Sequence, residues 1–114
     1  MQVLLNTDSH IDAGPHLPAH VETVVNGALH RFGDQVTRVE AHISDASKHA
    51  RPRPGEIQCT LEARLIGLEP VVVSEHADTV HQSIEGAVDK LKRALDTALG
   101  KHDARRSAAP LDRP

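Results

Sequence analysis

Aromatic side chains are almost missing from this 114-residue chain: Phe32 stands alone, without a single Trp or Tyr. Platforms that stack unpaired bases are built from aromatic rings, so none can be built here, and the core must be aliphatic. Cysteine occurs once, as Cys59, which excludes an internal disulfide and fits a reducing compartment. Positive charge is in deficit, 13 Lys and Arg against 16 Asp and Glu, for a net charge of −3. That balance argues against a generic polyanion binder, although nine His can add charge beside phosphates. No apolar run approaches the roughly 18 residues of a membrane span. The N-terminal "MQVLLNTDSH" has no basic region and no cleavage-site pattern, so it is not read as a signal peptide. A cytoplasmic protein is expected, with no membrane contact, no small-molecule substrate and no cofactor.

What is present is amphipathic pattern. With 39% apolar residues, a chain of this size can fill one core. "QVLLN" suits a strand, and "TDSHIDAGPHLP" is a turn-rich loop. From Leu17, the apolar residues Val21, Val24, Val25, Ala28, Leu29 and Phe32 keep a period near that of a helix, which Gly33-Asp34 should stop. Val36–Ser44 alternates, with Val39, Ala41 and Ile43 inward and Arg38, Glu40 and His42 outward. "DASKHARPRPG" is a polar loop. "EIQCTLEARLIG" alternates again, placing Gln58, Thr60, Glu62 and Arg64 outward, and a short strand follows around Val71–Ser74. Asp78 is a candidate N-cap for a helix running to about His102. The expected fold is α+β: a β-α-β-β-β-α two-layer sandwich, strands two to four in an antiparallel meander and both helices on one face. Residues 1–103 form one domain, and 104–114, without periodicity, are expected to be a disordered tail.

The last helix segregates its charge. Around the stripe Val80, Ile84, Ala87, Val88, Leu91, Leu95 and Ala98, one flank carries Ser83, Gly86, Lys90, Arg93, Thr97 and Lys101. The other carries Asp78, Glu85, Asp89, Lys92, Asp96 and Asp103. A basic flank can track phosphates; equally, Asp89–Arg93 and Asp89–Lys92 can be ordinary helix-supporting pairs. The loop "SKHARPR" adds Lys48, His49, Arg51 and Arg53, and Arg31 and Arg38 bracket the first helix end and second strand start.

Catalytic chemistry finds no support in the pattern. His16 and His20 are spaced i,i+4, and His76 and His81 sit near a helix start, but no Cys or carboxylate falls at a ligand spacing with them. No metal site and no catalytic residue is therefore assigned. Cys59 faces inward as a small core residue, and Ser9, His10 and Asp12 are too local for a triad.

Three segments, "MQVLLNTD", "ALHRFGDQVTRVEAHISD" and "HADTVHQSIEGAVDKLKRAL", resemble the ribosome hibernation-promoting factors, also called ribosome-associated inhibitor or sigma-54 modulation proteins. The likeness spans Met1 to about His102 and is most specific over Ala77–Leu95. It implies a fold similar to double-stranded RNA-binding domains. It also implies a non-enzymatic factor that binds the small (30S) subunit and the 70S ribosome through 16S rRNA phosphates. That factor would occupy the mRNA and tRNA channel and silence and protect idle ribosomes under stress or in stationary phase. Carried onto this chain, the RNA-binding candidates are Lys90, Lys92 and Arg93, then Arg31 and Arg38, with Lys101, Lys48 and Arg51 extending the surface. The net charge of −3 is a departure from the more basic members. The chain resembles a short form, without the further domain by which long members pair ribosomes. The competing expectation is a small protein-interaction domain that uses the mixed-charge sheet face or an open first strand.

Overall fold

The computed structural model describes residues 1–8, 11, 14–45 and 57–111, the last eleven of these as backbone only. The expected order is found: β1 (Gln2–Thr7), α1 (Leu17–Leu29), a 3-10 segment (His30–Gln35), β2 (Val36–Asp45), β3 (Ile57–Leu65), β4 (Val71–Ala77) and α2 (Val80–Leu111). The sheet runs β1-β2-β3-β4. β1 lies parallel to β2, Val3 opposite Val39, because a helix carries the chain back between them. β2, β3 and β4 form the antiparallel meander, with Ala41 opposite Leu61 and Leu61 opposite Val73.

Alternation sets the two faces. Val39, Ala41, Ile43, Cys59, Leu61 and Ala63 are fully buried beneath the helices and share one core with Val21, Val25, Leu29, Ile84, Leu91 and Leu95. On the open face, Arg38 stands opposite Arg64 and Glu40 opposite Glu62. Like charges directly opposite oppose pairing, and the conflict is resolved along each strand: Arg38 bonds Glu40 and Arg64 bonds Glu62.

Several boundaries differ from expectation for local reasons. α1 ends at Leu29, and Phe32 lies half-buried in the 3-10 segment under the Arg31 guanidinium, 4.5 Å from the ring centre. Gly33, at φ 60°, turns the chain into β2 there. The N-cap of α2 is Thr79, not Asp78: Thr79 Oγ1 accepts from the Gln82 amide at 3.1 Å, the capping-box spacing of Thr with a Gln three residues on. The buried stripe of α2 also includes Ser83 and Leu99, while Val80 and Ala98 are only half-buried. α2 continues to Leu111, past the end near His102; Ala104, Arg105, Arg106, Ala108 and Ala109 are good helix formers even without an apolar stripe. The tail expected at 104–114 thus falls partly on this helix and partly, at 112–114, outside the described residues.

Cys59 behaves as its position requires. It is fully buried, and burial pushes its thiol up to about 12, because the thiolate has no solvation there. The native protein should resist iodoacetamide, with labelling only as fast as the chain unfolds; rapid native labelling would contradict this packing.

Candidate nucleic-acid interface

Among the described residues, the cations expected to meet phosphate do not share one surface. Arg38 projects from the open sheet face, on the side away from the helices, and is bound to Glu40. Arg31, at the end of α1, reaches Asp96 on α2 at 2.7 Å. Lys90, on α2, donates to the Ser74 carbonyl at 2.9 Å and lies 3.3 Å from Glu75. Lys92 and Arg93 have no ion pair among the described residues; Arg93 is exposed and Lys92 half-buried. Lys48 and Arg51 lie outside the described residues, and so does the side chain of Lys101.

Lys90 is held by a device on β4. Glu75 pairs with Cys59 across the ladder, so it points to the helix-covered face. An inward charge on an edge strand discourages a further strand from adding there. Gly86 makes room for it: a Cβ at that position would stand 2.6 Å from Glu75 Cγ. The hydrogen bond from Lys90 is the chief reason the Glu75 carboxyl is held below the usual carboxylate range; the His76 amide assists and burial opposes. A carboxyl lowered on folding contributes stability that is complete above its unfolded pKa and is lost as pH falls through the lower folded value. Gly86 and Lys90, on the flank read as basic from the helical wheel, are therefore turned to β4. The readable signal was the alternation Val71, Val73, Glu75, obscured by the unbroken Val71-Val72-Val73 run.

This packing predicts a sign change. In the native background Gly86→Ala must displace Glu75 and break its pair, so it should be neutral or destabilising. In a Glu75→Ala background the same change should stabilise by about 1 kcal/mol, the helix-propensity gain of Ala over Gly. Equal effects in the two backgrounds, measured by urea unfolding, would remove Glu75 as the reason for Gly86.

The family profile of the sigma-54 modulation protein / S30EA ribosomal protein matches residues 6–103. The chain belongs to this family. Family members are ribosome-associated factors, in agreement with the resemblance carried by its three segments. Among solved structures, the Protein Y N-terminal domain of Thermus thermophilus is similar over 82% of this chain and 93% of its own, at 20% identity and a TM-score of 0.63. A ribosomal subunit interface protein from Coxiella burnetii is similar over 91% and 99%, at 16% identity and a TM-score of 0.61. At these identities the likeness establishes the fold. No curated protein sequence matches the chain. No helix among the described residues is long and apolar enough to cross a membrane.

Proposed function

We propose that this family member binds the small ribosomal subunit, alone and in the 70S ribosome, through 16S rRNA phosphates in the mRNA and tRNA channel, and so silences and protects idle ribosomes under stress. The observation that carries the reading is the family match across residues 6–103. The residues best placed for phosphate are Lys92 and Arg93, because no internal carboxylate among the described residues holds them. Arg31, Arg38 and Lys90 would have to leave an existing partner. Binding through phosphates should weaken steeply with salt.

Co-sedimentation with purified ribosomes at low and moderate salt tests this. Pelleting at low salt that falls away as salt rises is the expected result. No pelleting at low salt would reduce the likeness to one of fold. Salt-independent pelleting would instead indicate an apolar interface with a protein partner.

A further inference from the structure

His20, on α1, and His81, in the first turn of α2, are 61 residues apart in sequence and meet across the helix pair. His81 Nδ1 and His20 Nε2 are 3.1 Å apart, and the rings meet edge to face with centroids 4.5 Å apart. His16 precedes His20 by one helical turn, with the His20 amide bonded to the His16 carbonyl at 3.0 Å. All three imidazoles line one pocket of about 300 Å³ with Gly14, Pro15 and Leu17. Nothing in ribosome binding calls for this grouping. No carboxylate lines the pocket.

We propose that His20 and His81, completed by His16, form a site for a borderline divalent transition-metal ion, with Zn²⁺ the reference case. Zn–N bonds are about 2.0–2.1 Å long. Two nitrogens sharing one ion therefore lie roughly 2.9–3.4 Å apart at angles between square and tetrahedral. The observed separation of 3.1 Å, that of the hydrogen bond the two rings share, falls within that span. Binding would exchange that hydrogen bond for two bonds to a shared ion. No three candidate ligand side chains among the described residues converge closely enough as they stand. His16 is exposed and at the N-terminal boundary of α1, so its ring can turn inward without disturbing the core, and water fills the remaining position. Imidazole suits Zn²⁺, Cu²⁺ and Ni²⁺ and not Mg²⁺ or Ca²⁺. The bound ion would tie α1 to α2 at the end of the pair opposite the Arg31–Asp96 bridge.

The test is calorimetric titration of the intact protein with zinc chloride, beside His20→Ala, His81→Ala, His16→Ala and His30→Ala. His30 lies at the far end of α1 and serves as the control. Binding by the wild type and by His30→Ala, weakened at least about tenfold in His20→Ala and His81→Ala, supports the site. A smaller loss in His16→Ala supports its place as third ligand, and an unchanged affinity removes it from the set. No zinc binding by the wild type, or equal affinity in wild type, His20→Ala and His81→Ala, overturns the proposal. A zinc-dependent rise in melting temperature, absent from His81→Ala, would show that the ion acts on the folded protein. His20 and His81 are not wholly buried, so melting without zinc should show both variants folded.

Discussion

Leu61→Ala should cost about 3–4 kcal/mol and lower the melting temperature by roughly 12–30 °C, at the 4–8 °C per kcal/mol usual for a small domain. Leu61 is fully buried in an inner strand, between Ala41 and Val73 on its neighbours. Truncation of a buried Leu removes its transfer free energy and leaves a cavity whose cost depends on how far the surroundings can collapse. Collapse is restricted here. The core it belongs to holds Val21, Val25, Val39, Ile43 and Ile84, side chains that are stiff at χ1. The loss should therefore lie well above the roughly 2 kcal/mol lower end of the 2–5 kcal/mol range for such changes. Val72→Ala on the same sheet, 57% exposed, should change stability by less than about 0.5 kcal/mol. A Leu61→Ala cost below about 1 kcal/mol in urea unfolding would mean that the centre of the sheet is not closely packed.

Lys92→Glu with Arg93→Glu should weaken ribosome binding about a hundredfold at low salt and lower the salt-dependence slope by roughly two, one for each lost phosphate contact. The size follows from hydrogen bonds to charged groups at about 1.5–3 kcal/mol each, roughly tenfold or more per contact. Lys90→Ala should do less, because its ammonium already serves Ser74 and Glu75. Filter binding or sedimentation across a salt series measures both quantities. If Lys90→Ala matched the double reversal, the Glu75 pair would have to open on binding. If the double reversal bound like wild type, the RNA-facing surface would lie elsewhere. Arg31→Ala should fall between, since it frees Asp96, an acidic group beside the same helix face.

The sheet was legible where alternation was clean. Val36–Ser44 and the β3 segment declared both faces, and the structure assigns every inward residue read from them. β4 was less legible, because three consecutive valines hide which face Glu75 joins. The cap of α2 lay between two good capping residues, and only the Gln82 spacing favoured Thr79. The charged surface was least legible, for a physical reason. Its pairs on the helices join residues remote in sequence: Arg31 with Asp96, and Lys90 with the backbone of Ser74. A helical wheel shows only partners on its own helix. It therefore counted Lys90 as a free cation, and it could not bring His20 to His81.

The sheet order also bears on assembly of the chain. β2, β3 and β4 follow one another in sequence and in space, so their pairing closes short loops and can begin early. β1 must wait for α1 to complete its crossover before its parallel ladder with β2 exists. It is held along one side only. β1 is thus the strand that joins last and can detach while the three-stranded meander persists, making the N-terminal edge a local opening unit within an otherwise cooperative domain.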